Sequence, residues 1–297
     1  MRNRMSGLAL LIALGWLGPV SAQSEPVRTA EQWVDGIQAA VERVTFSGIV
    51  VYQRDGQLDA LTVQHDGNGA QLQRLTGPEL PSRVVGGEPD SAAPGPHGLL
   101  FARSGLRLGE GAVSLKLAYQ TRSLPDDRVA GRSVKVVDLL ARDSMRYSRR
   151  LWIDEQSGVP LRSATFGADG QLVEQWMFAD ISLQARAATD LPATAGDSAT
   201  EQPDKLRLHA VPPGFSLVSA RSGQQGEHWV YCDGLARVSV FIEPARADRA
   251  ALSGLQRRGL LSVFGRVVAG RQVVVVGEVP PATVERFAQE VVLDRAG

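Results

Sequence analysis

The segment from Tyr147 to Leu183 constrains the fold more than any other stretch, because it predicts three consecutive antiparallel strands. The first strand ends near Ile153 and is followed by the turn residues Asp154 to Gly158. The second strand covers Val159 to Phe166, and a Gly-Ala-Asp-Gly sequence turns the chain into the third. The third strand is apolar on both faces, whereas a strand with one face in water alternates apolar and polar residues. The sheet is therefore predicted to have a helix on one face and an apolar hollow on the other.

The beginning of the chain predicts export. Arg2 and Arg4 precede an apolar run from Leu8 to Leu17, and small residues follow from Val20 to Ala22. This order is typical of a secretory signal peptide over residues 1–22, and the apolar run is too short for a comfortable membrane span. Cys232 is the only cysteine, so no intramolecular disulfide is expected, and it is predicted to be a small buried hydrophobe.

Length and composition predict two globular domains. The 297 residues suggest about two domains, and the 32 Lys and Arg residues balance 32 Asp and Glu residues, which argues against a nucleic-acid-coating protein. Residues 23–184 form the predicted N-terminal domain, residues 185–204 a polar, Pro-containing linker, and residues 205–297 a smaller domain. The smaller domain has 12 basic against 8 acidic residues, a net charge of +4, while residues 23–204 have 18 against 24, a net charge of −6. A basic domain favours an acidic partner or a phosphorylated lipid, although a random imbalance remains open.

The N-terminal domain is predicted to be one helix followed by many antiparallel strands. The helix covers Thr29 to Val44, with Thr29 and Gln32 as a capping box, and is expected to cover the sheet. From Phe46 the apolar period falls to two, and the Gly- and Pro-rich stretch from Gly86 to Gly98 predicts a loop. Further strands are expected near residues 99–101, 115–120 and 133–139. A sheet of this size can curl into an open or partial barrel.

The C-terminal domain is predicted to be a small α+β unit. Its hairpins turn at Asp233-Gly234 and at Ala269-Gly270, and Pro280-Pro281 opens a terminal helix. The helix is expected to pack on the sheet through Val284, Phe287, Ala288 and Val291.

Catalytic and cofactor motifs are absent from the sequence. The four histidines are scattered, and there is no metal-ligand spacing, nucleophile elbow or phosphate-binding loop. The sequence therefore predicts neither an enzyme nor a resident cofactor or metal. A hydrolase that uses two carboxylates brought together across a cleft stays open as an alternative, because sequence does not exclude such a pair.

Five segments together resemble the MucB/RseB family of periplasmic regulators of the envelope-stress sigma factor. They span residues 46–67 (FSGIVVYQRDGQLDALTVQHDG), 146–178 (including LWIDEQSGVPLRS), 211–215 (VPPGF), 232–244 (CDGLARVSVFIEP) and 273–291. The segments cover most of the chain after the signal peptide, and the LWIDEQSGVPLRS and DGLARVSVF blocks are specific.

The resemblance implies a fold, a location and a function. The expected fold is α+β: an unclosed antiparallel β-barrel with a helical lid, similar to lipoprotein carriers, joined to a small C-terminal α+β domain. A member of this family resides in the periplasm, binds the periplasmic segment of a single-span membrane anti-sigma factor and shields it from regulated proteolysis. Mislocalised lipopolysaccharide or another lipid is expected to displace it. A periplasmic lipid or lipoprotein carrier is the alternative function, and self-association stays open.

Two sets of candidate site residues follow from this expectation. The candidates for lining a lipid-binding hollow are Trp152, Trp176, Met177 and Phe178. The candidates for contacting the anti-sigma factor combine basic or aromatic character with positions near hairpin ends, namely Arg237, Phe241, Arg257, Arg258 and Arg266. Because a register error of one residue reverses every face of a strand, these assignments depend on the strand pairing.

Overall fold

A computed structural model describes residues 28–65, 70–75, 83–85, 115–186, 206–223, 226–245 and 251–293. The predicted signal peptide, nearly all of the predicted linker, the loop from Gly86 to Gly98 and the strand expected near residues 99–101 lie outside these residues. Within the described ranges, none of the helices is long and apolar enough to cross a membrane.

The N-terminal domain is built on one nine-stranded sheet. Its strands are β1 (Val44–Arg54), β2 (Gln57–His65), β3 (Ala70–Arg74), β4 (Arg83–Val85), β5 (Tyr119–Val129), β6 (Arg132–Ala141), β7 (Ser148–Asp154), β8 (Pro160–Phe166) and β9 (Leu172–Ala185). They follow the spatial order β4-β3-β2-β1-β9-β8-β7-β6-β5, and every neighbouring pair is antiparallel. Since β4 and β5 form the two ends and do not pair in the described part of the chain, the sheet is unclosed, as predicted.

The helical cover of this sheet is shorter than expected, because the predicted helix from Thr29 to Val44 breaks at Gly36. It forms α1 (Ala30–Asp35) and α2 (Ile37–Glu42), and Val44 already belongs to β1. The capping box of Thr29 and Gln32 is present at the start of α1. Glycine lowers helix stability, which accounts for the break at this position.

The face of the sheet that packs against α1 and α2 carries an apolar core. Side chains from α1 and α2 meet β6 and β7 in a cluster that includes Val34, Ile37, Val137, Leu151 and Ile153. The helix-covered face predicted for the sheet is therefore confirmed.

The first half of one predicted strand is instead a short helical turn, separate from α1 and α2. Residues 115–118 are helical, and β5 begins only at Tyr119. Leu115 and Ala118 are buried in the same cluster as α1, because a helical turn brings residues three apart to one side. β5 itself is irregular, with a register shift between Leu124 and Asp127 around Pro125.

In the described ranges, three hairpins turn through a residue followed by glycine, both with positive φ. These are Asp55-Gly56, Ala130-Gly131 and Ala269-Gly270, with φ of 50° and 75°, 48° and 75°, and 47° and 77°. Such two-residue turns match the right-handed twist of paired strands, and glycine accepts positive φ without steric cost. The turns predicted at Asp55-Gly56 and Ala269-Gly270 are thus confirmed.

The C-terminal domain is a helix on a six-stranded sheet. Its elements are β10 (Leu206–Leu208), β11 (Ser216–Gly223), β12 (Gly226–Cys232), β13 (Arg237–Pro244), β14 (Gly254–Arg258), β15 (Leu261–Val268), β16 (Arg271–Gly277), α3 (Pro281–Glu290) and β17 (Val291–Leu293). The sheet order is β11-β12-β13-β16-β15-β14, and β10 pairs separately with β17. Val284, Phe287 and Ala288 of α3 are fully buried against this sheet, as predicted from the helix period.

Candidate functional site

Strand register divides the four lipid-lining candidates between the two faces of the large sheet. Arg162 of β8 pairs with Trp152 of β7 and with Met177 of β9, whereas Ser163 pairs with Trp176. Directly paired residues of antiparallel strands point to the same face, and successive residues point to opposite faces. Trp152 and Met177 therefore share one face, and Trp176 shares the other with Phe178.

Trp176 and Phe178 lie in the core on the helix-covered face. They are 4% and 1% exposed, and their rings meet edge to face at 6.2 Å. Phe178 also contacts Phe46 at 5.8 Å, and Val41 of α2 packs against the same cluster. Met177, in contrast, is 38% exposed on the opposite face. Trp152, Trp176 and Phe178 thus belong to one buried apolar cluster although they point to different faces, and Met177 lies outside that cluster.

Trp152 is held by polar contacts on the face that carries Met177. Its indole N–H donates to Asp127 at 3.0 Å, and the Arg162 guanidinium lies 4.1 Å from the ring centre. Arg162 also donates to Gln175 at 3.1 Å. The backbone N–H of Arg128, followed by the Trp152 indole, lowers the pKa of Asp127. Trp152 is nevertheless only 6% exposed and belongs to a buried apolar cluster with Val136 and Ala164, so charged groups lie beside an apolar core on this face.

The five partner-binding candidates are also divided by register. On the open face of the C-terminal sheet, which we define as the face opposite α3, the structure places Arg237, Phe241 and Arg258. On the face that packs against α3, it places Arg257 and Arg266, whose cross-strand partners Ser262 and Val273 are fully buried.

Phe241 lies on the open face and is partly exposed. Its ring stacks on His228 of β12 at 4.2 Å with an interplanar angle of 8°. Both residues, and the neighbouring Val274 of β16, are half-buried. A partly exposed aromatic pair on a sheet face, within a basic domain, is suited to contact an apolar and acidic segment of a partner.

Arg257 occupies a different position, at a cleft between the two domains. The cleft has a volume of about 570 Å³ and is lined from both domains, by Arg54 and Leu172 on one side and Arg257 and Pro281 on the other. The Arg257 side chain donates to the carbonyl oxygen of Gly259 at 3.0 Å.

A buried ion pair joins the two domains. Arg146 lies 2.9 Å from Asp233, and neither side chain is exposed to solvent. The Tyr119 hydroxyl donates to the same carboxylate at 3.1 Å, and Arg146 also donates to the Pro213 carbonyl at 2.6 Å. Burial raises the pKa of Asp233, against the lowering effect of the hydrogen bonds and of Arg146.

Sequence reasoning missed this pair, although it recognised Asp233 as a turn residue. The carboxylate does accept hydrogen bonds from Leu235 and Ala236 of its own turn, so the turn interpretation is confirmed. Only the fold brings Arg146, 87 positions earlier in the chain, to the other side of the same carboxylate.

A row of polar residues on the large sheet also faces the C-terminal domain. Cross-strand pairing runs from Arg149 through Thr165 and Glu174 to Arg54. Arg149 approaches Glu278 of the C-terminal domain at 3.5 Å, and Glu174 is 5% exposed. No cluster of His, Cys, Asp and Glu able to hold a metal occurs within the described ranges.

Fold and site together define a two-domain β-sheet protein whose candidate partner surfaces lie on sheet faces and at a domain interface. Two family models match it consecutively: the MucB/RseB N-terminal domain over residues 29–196 and the MucB/RseB C-terminal domain over residues 200–292. The chain belongs to the MucB/RseB family.

Individual relatives agree with this assignment. The sigma factor AlgU regulatory protein MucB of Pseudomonas aeruginosa is 30% identical over 96% of both chains. The sigma-E factor regulatory protein RseB of Escherichia coli is 30% identical over 58% of this chain and 59% of its own. The solved MucA/MucB complex of Pseudomonas aeruginosa contains a similar chain with a TM-score of 0.64 and 28% identity, covering 90% of this chain and 99% of that one.

Proposed function

We propose that the protein is a periplasmic negative regulator of a sigma-E-type envelope stress response. It binds the periplasmic segment of a membrane anti-sigma factor, shields that segment from regulated proteolysis and performs no catalytic step itself. The single observation that carries this proposal is the similarity, over 90% of this chain, to MucB solved in complex with MucA. A second structure of MucB, bound to MucA(peri), is 27% identical with a TM-score of 0.61 and supports the same function.

The open face of the C-terminal sheet is our proposed contact surface for the anti-sigma segment. It combines the stacked Phe241 and His228 with Arg237 and Arg258, in a domain with a net charge of +4. Aromatic and arginine side chains contribute most to protein interfaces, and basic charge increases the rate of encounter with an acidic segment.

The lipid response is the second part of the proposal. A lipid or lipopolysaccharide displaces the protein from the anti-sigma segment only if it binds the free form better than the complex. Met177 is the best-placed of the four candidates for first contact, since it is 38% exposed, whereas Trp176 and Phe178 are core residues. A simple carrier has no need of a second domain fixed by a buried ion pair, which favours the regulator over the carrier.

Calorimetric titration tests the binding function. The mature protein, from Gln23, is titrated with the periplasmic segment of the anti-sigma factor encoded beside it, with and without lipopolysaccharide. One-to-one binding that lipopolysaccharide weakens is the expected result. Absence of binding, together with acyl chains in the purified protein, would assign it to the carriers.

Protection from proteolysis tests the regulatory step. The same anti-sigma segment is exposed to its site-specific protease with and without one equivalent of the protein. Cleavage is expected to slow in proportion to the bound fraction. Equal cleavage rates at saturation would leave a binding protein that does not shield its partner.

A further inference from the structure

Glu174 is a buried carboxylate in an unusual electrostatic position. It is 5% exposed at the centre of the cross-strand row that faces the C-terminal domain. Its direct cross-strand partner Arg54 approaches Asp55 at 4.0 Å, and Arg149 approaches Glu278 at 3.5 Å. No ion pair of Glu174 itself occurs in the described part of the chain. The two cations near Glu174, Arg54 and Arg149, thus each lie close to another carboxylate as well.

The C-terminal domain closes over this row. Arg54 packs so tightly against the turn between β14 and β15 that a Cβ on Gly259 would overlap its side chain. Leu260 in the same turn is buried, and Glu278 follows the end of β16. Glu278 adds a second negative charge close enough to act on Glu174. Docking of the two domains therefore removes Glu174 from water and opposes it with a like charge, both of which disfavour its ionised form.

We propose that Glu174 is a proton-binding site that couples docking of the two domains to the pH of the surrounding compartment: the protonated carboxyl permits tight docking, and its ionisation weakens it. The step is a simple loss of the carboxyl proton to water. It is independent of the proposed anti-sigma binding, because it requires only the contact between the domains.

The charged and titratable groups near Glu174 support its role as a proton-binding site. Burial first, and then the charge of Glu278, raise the pKa of Glu174 from 4.5 to about 7, while Tyr52, Arg149 and Arg54 act in the lowering direction. When the domains separate, water replaces the C-terminal domain around the carboxyl, and its pKa falls towards 4.5. Docked protein then holds one more proton than undocked protein between about pH 4.5 and pH 7.

The sign of the effect follows from this difference. The contribution of Glu174 to docking is fully present below about pH 4.5, decreases as the pH rises towards 7, and stays at its low value above that. The shift corresponds to a change of the order of a hundredfold in the docking equilibrium. The interface is thus tighter in mild acid than at pH 8.

An interdomain fluorescence experiment tests the coupling. Cysteines introduced at Leu58 and Val267, which are 68% and 50% exposed, carry a donor and an acceptor. The native Cys232 remains, because it is buried. The urea concentration at which energy transfer is lost is expected to be higher at pH 5 than at pH 8. Glu174→Gln, which mimics the protonated acid, is expected to raise the pH 8 value towards the pH 5 value.

The matched control is Glu42→Gln, which changes an exposed glutamate on α2. It should leave the urea concentration at which energy transfer is lost unchanged at both pH 5 and pH 8. An unchanged or lower urea concentration at pH 8 in Glu174→Gln would overturn the proposal.

A second measurement does not depend on that variant folding. The carboxyl ¹³C resonance of Glu174 in the wild-type protein should titrate near pH 7, and Glu278→Gln should move this midpoint to lower pH. A wild-type midpoint below pH 5, or one that ignores Glu278→Gln, would also overturn the proposal.

Discussion

Arg146 and Asp233 form a 2.9 Å ion pair between two domains, with both side chains fully buried. The tyrosine hydroxyl of Tyr119 and two backbone N–H groups complete the coordination of the carboxylate. A buried pair of this kind contributes little net stability compared with an apolar pair of the same shape, but loss of one member leaves a charge without compensation. We therefore expect the pair to favour the docking arrangement in which these two side chains meet.

Removing the arginine is expected to be strongly destabilising. Arg146→Met leaves Asp233 buried without its cation and should lower the free energy of unfolding by about 3–5 kcal/mol, measured by urea denaturation at pH 7. The matched control is Lys135→Met, which removes partly exposed pairs with Asp126 and Glu155 and should cost less than about 1 kcal/mol. Equal losses in the two variants would contradict the special role of the buried pair.

Partner binding should depend on which face of the C-terminal sheet is altered. Phe241→Ala removes the stacked ring from the open face and should weaken binding of the anti-sigma segment by about tenfold or more in calorimetry. Arg258→Ala, on the same face, should weaken binding less. Arg266→Ala, on the face that packs against α3, should leave the affinity unchanged. A stronger effect of Arg266→Ala than of Phe241→Ala would move the contact surface to the other face.

The two faces of β9 should differ in their effect on stability. Trp176→Ala removes a ring that is 4% exposed and should cost about 3–5 kcal/mol in denaturant unfolding. Met177→Ala, one residue later but 38% exposed, should cost less than about 1 kcal/mol. Lipid binding is then measured on Met177→Ala, which stays folded. If Met177→Ala were the more damaging of the two, the strand register would be wrong by one residue.

One hairpin turn offers a stabilising change. Ala269 has a φ of 47°, a conformation that costs alanine free energy and that asparagine adopts more readily. Ala269→Asn should therefore raise the free energy of unfolding by up to about 1 kcal/mol. Ala130→Asn, in the equivalent turn of the large sheet, should have a similar effect. Destabilisation by both changes would contradict the positive φ at these positions.

Local sequence signals predicted the elements well where the chemistry of a turn or a cap decides the conformation. The capping box at Thr29 and the turns at Asp55-Gly56 and Ala269-Gly270 depend only on neighbouring residues, and all were predicted correctly. The helix break at Gly36 and the helical turn at residues 115–118 were missed. In both segments the apolar residues pack on one core, and a short apolar run fits a strand or a helix equally well.

The candidate sites were less predictable, because they depend on register and on distant contacts. Trp176, Met177 and Phe178 are consecutive in β9, and Arg257 and Arg258 are consecutive in β14, so each candidate set combines both faces of a strand whatever its neighbours. Only the observed pairing tells which of the two faces packs against a helix. The pairs of Arg146 with Asp233 and of Arg149 with Glu278 join residues far apart in sequence. No local pattern marks such a pair.

Within the described part of the chain, the irregular strand β5 is an end of the large sheet, and this bears on how the protein behaves at high concentration. An end strand exposes unpaired backbone groups that can recruit an identical strand from another molecule. β5 carries Pro125, which lacks an N–H donor, followed by two aspartates within its register shift. Two copies brought edge to edge would lose ladder hydrogen bonds and confront like charges. This edge therefore opposes the growth of sheet-to-sheet polymers in a crowded compartment.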